Sequence, residues 1–327
     1  MVLKKQEESM KIVVLERNSV GTDVPVDCYK DFGEVTCYRN TLAEDAPEKV
    51  KDADIIIANK CPMNEKTLGD APNVKLICEF ATGFDNVDLA YCKSRGIQVA
   101  NVRDYCSAAV AQHTFALAFY LMEHLRHYDD YVKGGEYSAQ DRFSNFDLPY
   151  ADLEGKVWGI IGMGNIGRRV AKIAEAFGCR VMFHSVTGKS TCTDYEQVSF
   201  DELLRSCDVI SLHCPLSDLT KDLMNKEAFE KMKKTAVLIN VARGPVVNGR
   251  DLYEALMSDT IAAAGLDVFE QEPISVDHPL YQIKDSNKLI ITPHMAWAST
   301  QARTRVVEEV YLNIEAFLRG ENRNSVI

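Results

Sequence analysis

Three polar residues within 243–294 have the types needed for acid-base chemistry on a small carboxylic acid: Arg243 in Asn240-Val241-Ala242-Arg243-Gly244, Glu272 before Pro273, and His294 after Pro293. The planar fork of Arg243 can hold a carboxylate in two parallel hydrogen bonds and so orient a carbonyl beside it; lysine would substitute poorly. His294 can hand that carbonyl a proton, and Glu272, if bonded to the other ring nitrogen, would fix the tautomer. Upstream, Gly162-Met163-Gly164-Asn165-Ile166-Gly167 follows the apolar run Val157-Trp158-Gly159-Ile160-Ile161 and precedes a helix-like stretch over 168–177. In that context Gly162 allows a tight turn, Gly164 lets backbone N–H groups approach a pyrophosphate at a helix N-terminus, and Gly167 permits close helix packing. A dinucleotide held by this run, with Asn165 and Ile166 on the turn, beside one acid-base site points to redox chemistry.

The end of the next strand bears on which dinucleotide. The acidic residue that would hold an adenine-ribose 2′-hydroxyl is absent: Phe183-His184-Ser185 is followed by Val186-Thr187-Gly188-Lys189-Ser190. A carboxylate there would repel a 2′-phosphate, whereas Ser185, Thr187 and Lys189 supply donors. NADP(H) is therefore admissible, and NAD(H) stays open if these are only exposed turn residues.

Behind these motifs must stand elements that position them. The 327 residues, 46% hydrophobic and 26% charged, suffice for two packed cores. A net charge of -11 without a basic block argues against nucleic acid or an anionic membrane as partner. Ten cysteines without metal spacing read as reduced thiols of a cytoplasmic protein. The longest purely apolar stretch, 115–122, is far below the ~20 residues of a membrane span. Residues 1–9 are polar and read as an extension without function. Short β-rich runs at 11–15, 35–38, 54–58, 75–78 and 97–101 alternate with helix-like segments, which predicts a small parallel sheet. A long helix over 107–126 and a polar, aromatic loop over 128–150 follow. The alternation then restarts, with strands near 180–184, 209–213, 236–241, 263–268 and 288–291, and the helix over 299–319 is long enough to return to the first domain. The expected division is a discontinuous substrate domain, 1–103 and 297–327, around a dinucleotide domain, 104–296.

From about Met10 to Val326 the chain resembles the D-isomer-specific 2-hydroxyacid dehydrogenase family, on the glycine turn, on Ile239-Asn240-Val241-Ala242-Arg243-Gly244, on Gly265-Leu266-Asp267-Val268-Phe269-Glu270-Gln271-Glu272-Pro273 and on Thr292-Pro293-His294. The resemblance implies a Rossmann cofactor domain inserted into a flavodoxin-like substrate domain, both doubly wound parallel sheets. It assigns Arg243, Glu272 and His294 as the catalytic set and Asp267 to the nicotinamide side. Val241, Ala242, His213, Pro215 and His294 join the cofactor groove. The substrate carboxylate loop matches Ala81-Thr82-Gly83-Phe84-Asp85-Asn86, with Thr82, Gly83 and Phe84 against the anion. Lys60 either contacts substrate or is solvated, and Trp297 either walls the pocket or packs between domains.

Met295-Ala296-Trp297-Ala298-Ser299 and Ser107-Ala108-Ala109-Val110-Ala111-Gln112-His113-Thr114 resemble glycerate dehydrogenases, also called hydroxypyruvate reductases, within that family. Hydroxypyruvate or glyoxylate reduced to D-glycerate or glycolate is the implied reaction. A D-lactate-type or other 2-oxo acid reductase, or a dinucleotide-sensing scaffold of the corepressor kind, is the alternative. Tyr131, Tyr137, Phe143, Phe146 and Tyr150 make 128–150 too aromatic to stay wholly solvated, and the resemblance implies that it embraces a second subunit in a homodimer. Among the other histidines, His113 and His213 included, no metal spacing occurs.

Overall fold

The computed structural model describes residues 9–327, so the expected N-terminal extension, Ser9 apart, lies outside the described residues. Two compact units are present: one runs to Cys106 and resumes at Ala298–Ile327, the other is Ser107–Trp297. The divisions fall at 106/107 and 297/298 rather than 103/104 and 296/297, which moves Trp297 into the second unit.

In the first unit the β-branched runs form five parallel strands: β1 (Met10–Val14), β2 (Gly33–Cys37), β3 (Ile55–Ala58), β4 (Leu76–Glu79) and β5 (Gln98–Ala100). Their order, β2-β1-β3-β4-β5, is that of a doubly wound sheet of the flavodoxin type. β3 and β4 are buried along their whole length, as strands covered by helices on both faces must be. The C-terminal helix Thr300–Leu318 belongs to this unit: Tyr29 Oη donates to the Val307 carbonyl (3.1 Å) and Asn313 Nδ2 to the Asn101 carbonyl (2.9 Å).

The second unit is a seven-stranded parallel sheet: β6 (Val157–Ile161), β7 (Arg180–His184), β8 (Glu196–Gln197), β9 (Val209–Leu212), β10 (Val237–Asn240), β11 (Ala263–Leu266) and β12 (Leu289–Ile291). Its order, β12-β11-β10-β9-β6-β7-β8, reverses direction between β6 and β9, the place where such sheets bind dinucleotides. At its centre Trp158 is fully buried and its indole N–H donates to Ser211 Oγ on β9 (2.9 Å). β8 carries no hydrophobic run, being Glu196 and Gln197 only, and sequence patterning misses it.

The helix expected over 107–126 ends at Met122, and His124 takes the left-handed conformation (φ 52°) before a second helix, Leu125–Lys133. The apolar face runs out at Met122. The second helix buries no residue and instead carries the i,i+4 pairs Arg126–Asp130 (2.6 Å) and Asp129–Lys133 (2.7 Å). Part of the expected loop is thus helical, 128–133 and a further turn at Glu136–Ala139.

Candidate active site

Every motif in the second unit sits where a strand ends, and parallel strands all end on one edge of the sheet. After β6 the chain turns at Gly162, whose φ of +98° suits only glycine and whose Cβ would lie 2.6 Å from the Cys214 nitrogen. The turn is therefore pressed against the exit of β9. A Cβ on Gly167 would sit 2.3 Å from the Gly162 carbonyl oxygen, so the helix Asn165–Ala176 closes directly on the turn. Above Gly164 nothing lies within 4 Å, Asn165 is exposed, and no side chain caps this helix. Open space over uncapped N–H groups at a helix N-terminus is what a pyrophosphate needs.

Beyond β7 the Gly188 N–H donates to the Ser185 carbonyl (3.0 Å), and the resulting turn carries Ser185, Thr187 and Lys189 with no carboxylate among them. Beyond β9, His213 Nε2 lies 3.0 Å from Ser211 Oγ. That oxygen also accepts the Trp158 N–H. Nδ1 is enclosed without a hydrogen-bond partner among the described residues, and burial holds the imidazole down to about 3. Pro215, next in this segment, is exposed.

At the end of β10 the fully buried Asn240 folds its side chain over the next turn. Its Oδ1 accepts the Ala242 N–H (3.0 Å) and its Nδ2 donates to the Arg243 carbonyl (3.0 Å). This fixes Val241 and Ala242 in the interior and half-exposes Arg243, whose Nη1 donates to the Ala242 carbonyl (2.9 Å). Gly244 can carry no side chain, since a Cβ would lie 1.8 Å from the Phe269 carbonyl carbon. The arginine turn thus packs directly on the backbone leading to Glu272.

Glu272 and His294 meet. Glu272 Oε1 accepts the Phe269 N–H (3.1 Å), and Oε2 lies 2.7 Å from His294 Nδ1, with both side chains about one-quarter exposed (27% and 28%). Nδ1–H toward the carboxylate leaves Nε2 as the nitrogen for exchange with a substrate. His294 is itself in the left-handed region (φ 51°), where a non-glycine residue is strained. Its conformation is held from Asp267, which is 1% exposed: the His294 N–H donates to the Asp267 carbonyl (2.8 Å), and the carboxylate accepts Thr292 Oγ1–H (2.6 Å), Met295 N–H (2.8 Å) and Ala296 N–H (2.8 Å). His113 adds to this clasp, its Nε2 donating to Thr292 Oγ1 (3.1 Å), and burial pushes its imidazole below the usual range against the pull of Asp267. Neither the Asp267 clasp nor the His113–Thr292 contact is visible in the motifs, because both depend on which segments are neighbours.

In the first unit, the loop over 81–86 is pinned at both ends. Thr82 Oγ1 donates to the Val102 carbonyl (2.7 Å), Asn101 Nδ2 donates to the Thr82 carbonyl (2.7 Å), and Asn86 Nδ2 reaches the Cys61 carbonyl (2.9 Å) and Glu79 Oε1 (3.2 Å). Gly83 and Phe84 are half-buried, with Phe84 packed against the core. Lys60 is exposed, and its backbone N–H, with those of Asn59 and Cys61, donates to the Glu16 carboxylate at 2.8–3.1 Å. Trp297 is half-buried in the second unit.

A strand-turn-helix nucleotide cradle and a glutamate-paired histidine on the same sheet edge agree with the comparisons. Residues 115–296 match the model described as "D-isomer specific 2-hydroxyacid dehydrogenase, NAD binding domain". The chain belongs to the D-isomer specific 2-hydroxyacid dehydrogenase family. It is 38% identical to the hydroxypyruvate reductase of Blautia hydrogenotrophica, over 97% of this chain and 99% of that protein. It is likewise 38% identical to the glycerate dehydrogenase of Methylorubrum extorquens, over 97% and 98%. Among solved structures, the NADPH-dependent glyoxylate/hydroxypyruvate reductase of Sinorhizobium meliloti, in complex with NADP and malonate, superposes with a TM-score of 0.83 at 26% identity, over 98% of this chain and 97% of that one. The chain is thus an NAD(P)-dependent dehydrogenase, and the 162–167 turn, the 185–189 turn and the segments after β9 and β10 all follow strands of the second unit.

Among the described residues all ten cysteines are unpaired. Cys106 and Cys214 are buried, and burial pushes each thiol up to about 11, so both behave as small apolar side chains. No described helix is long and apolar enough to cross a membrane.

Proposed function

We propose that this dehydrogenase reduces short 2-oxo acids, hydroxypyruvate first and glyoxylate next, to D-glycerate and glycolate. The single observation that carries the reading is the 2.7 Å contact between Glu272 Oε2 and His294 Nδ1, held beside the Arg243 turn. A nicotinamide cofactor, when held in this groove, would supply the hydride that the keto carbon receives. Arg243 holds the substrate carboxylate and so orients the ketone. His294 delivers the proton from Nε2 to the carbonyl oxygen while Glu272 keeps Nδ1 occupied, and in the reverse direction the same nitrogen takes the proton back. Thr82, Gly83, Phe84 and Lys60 are the candidates for further contacts to the acid, and Trp297 for a wall that limits its size. His213, Pro215, Val241, Ala242 and Asp267 complete the candidate cofactor groove.

The names of the relatives support hydroxypyruvate and glyoxylate over lactate-type substrates. For the cofactor, the 185–190 turn supports NADP(H), since no carboxylate there opposes a 2′-phosphate. Initial rates with NADH and NADPH across hydroxypyruvate, glyoxylate, pyruvate and bulkier 2-oxo acids test the whole reading. Highest kcat/KM on hydroxypyruvate with NADPH is expected, and no turnover of any 2-oxo acid would overturn it.

The partner we propose is a second copy. Phe143 (91% exposed), Phe146 (69%) and Tyr150 (60%) project from a segment that otherwise folds back on itself, with Tyr128 Oη donating to the Leu148 carbonyl (2.8 Å). Three large exposed aromatics on one short segment suit an interface. Light scattering should give a dimer that Phe143→Asp with Phe146→Asp converts to monomer. Ten unpaired thiols suit the reducing cytoplasm.

A further inference from the structure

Below the 81–86 loop lies a carboxyl group that the chemistry above does not use. Glu79, the last residue of β4, is fully buried. Its Oε1 accepts the Asn86 Nδ2–H (3.2 Å), while Oε2 has no hydrogen-bond partner among the described residues. One step beyond the last paired position of β4 and β5, Cys78↔Ala100, stands Asn101, whose Oδ1 is also buried and without a partner. Asn101 and Glu79 hold opposite ends of the same loop, at Thr82 and Asn86. Two buried acceptor oxygens on adjacent strands are costly as they stand, and an ionised carboxylate among them would be costlier. A proton on Oε2 turns one acceptor into a donor.

We propose that Glu79 is a positioning residue for substrate binding, held as a neutral carboxylic acid so that it fixes the 81–86 loop without setting a second negative charge beside an anionic substrate. The inference rests on the reading of that loop as a carboxylate-binding element. Burial raises the Glu79 carboxyl to about 8, with Asn86 opposing and Glu16 assisting. The groups around it, element by element, are Glu16 after β1, Lys60 and Cys61 after β3, Cys78 on β4 itself and Cys92 on the helix Leu89–Ser94. The helix Thr300–Leu318 contributes the neutral Asn313, bonded to the Asn101 carbonyl, and the nearby Arg323 is paired with Glu309 (2.6 Å). The Glu16 carboxylate accepts the backbone N–H groups of Asn59, Lys60 and Cys61.

The linkage has a definite sign. A folded-state carboxyl at about 8 against an ordinary 4.5 keeps a proton that the unfolded chain loses, so stability falls as pH rises between those values and levels off above. Glu79→Gln keeps the shape and cannot ionise. With saturating NADPH, wild-type KM for hydroxypyruvate should rise about fivefold between pH 7 and 9, and this rise should be absent in Glu79→Gln. The Tm of the variant relative to wild type should climb through the same interval. A parallel KM rise in both proteins, with a Tm difference constant in pH, would overturn the proposal. If the variant does not fold, the carboxyl carbon of Glu79 followed by 13C NMR in the wild type decides: a midpoint near 8 supports it and one near 4.5 overturns it. If the wild type turns over no 2-oxo acid, the functional reading fails while the Tm and NMR measurements still report on the Glu79 proton.

Discussion

The conformation of His294 depends on Asp267, and the exchange Asp267→Asn tests how much. The carboxylate, 1% exposed, accepts three hydrogen bonds, from Thr292 Oγ1–H, Met295 N–H and Ala296 N–H. Asparagine is nearly isosteric but has one acceptor oxygen, so an NH2 must face either Met295 N–H or Ala296 N–H, donor against donor. Replacing one charge-assisted bond costs about 1.5–3 kcal/mol, and the stranded donor adds a cost of similar order. The left-handed backbone at His294 (φ 51°) is worth roughly 1–2 kcal/mol of strain that the clasp restrains. Relaxing it withdraws the imidazole from Glu272. Restoring the productive geometry against that roughly 1–2 kcal/mol, with 1.36 kcal/mol per factor of ten, lowers kcat by about 5- to 30-fold. Steady-state kcat at saturating cofactor, with urea unfolding in parallel, reads both effects, and the stability loss should be about 2–4 kcal/mol. A kcat within about threefold of wild type at an unchanged urea midpoint would refute the clasp. A raised cofactor KM with intact kcat would instead assign Asp267 to direct nicotinamide contact.

Three further outcomes are expected. His294→Ala should lower reduction by roughly 10² to 10⁴, read as kcat/KM at fixed NADPH, and wild-type turnover would remove the residue from the acid role. Gly244→Ala places a methyl 1.8 Å from the Phe269 carbonyl carbon, so the arginine turn must part from the Glu272 segment. The expected loss is at least about 3 kcal/mol together with most activity, and a melting curve matching wild type would contradict the close approach. His213, held at about 3 in the fold against an ordinary 6.5, binds fewer protons folded than unfolded. Stability therefore rises with pH across that window and is lost on acidification, so His213→Gln should lose less stability than wild type between pH 7 and about pH 4 in urea titrations.

The strands were legible in the sequence wherever an apolar run was bounded by turn residues: the expectation at 54–58 became Ile55–Ala58 and that at 209–213 became Val209–Leu212. Two features escaped for physical reasons. Glu196 and Gln197 form an edge strand through backbone pairing alone, without a side-chain period to betray it. The helix break at His124 turns on where buried packing ends, and the local sequence on either side favours helix. At the candidate site, residue type pointed to Arg243, Glu272 and His294 and the family resemblance joined them as one set, of which Glu272 and His294 meet in the structure. The supporting contacts of Asn240, Asp267 and His113 and the burial of Glu79 could not be read that way, because each depends on a neighbour that only sheet order supplies, and a buried Glu at a strand end looks in sequence like an exposed one.

The distribution of those supports explains why a short constellation suffices for the chemistry. In the second unit, β10, β11 and β12 are consecutive neighbours, so the residues that follow them emerge side by side: the Arg243 turn, Asp267 with the Glu272 segment, and the His294 loop. Each is fixed by the one beside it. The Asp267 N–H donates to the Asn240 carbonyl (2.9 Å), Gly244 closes on Phe269, and Asp267 in turn restrains 292–296. The His294 imidazole is thus positioned by main-chain and carboxylate contacts passed across three strands. A substitution that loosens β10 at Asn240 should therefore be felt at His294, two strands away, before it is felt in the glycine turn after β6, which is fixed separately against Cys214. The measurable form of this asymmetry is a fall in kcat with cofactor KM unchanged in Asn240→Ala, whereas a rise in cofactor KM at constant kcat would mean that the two halves of the sheet edge do not act separately.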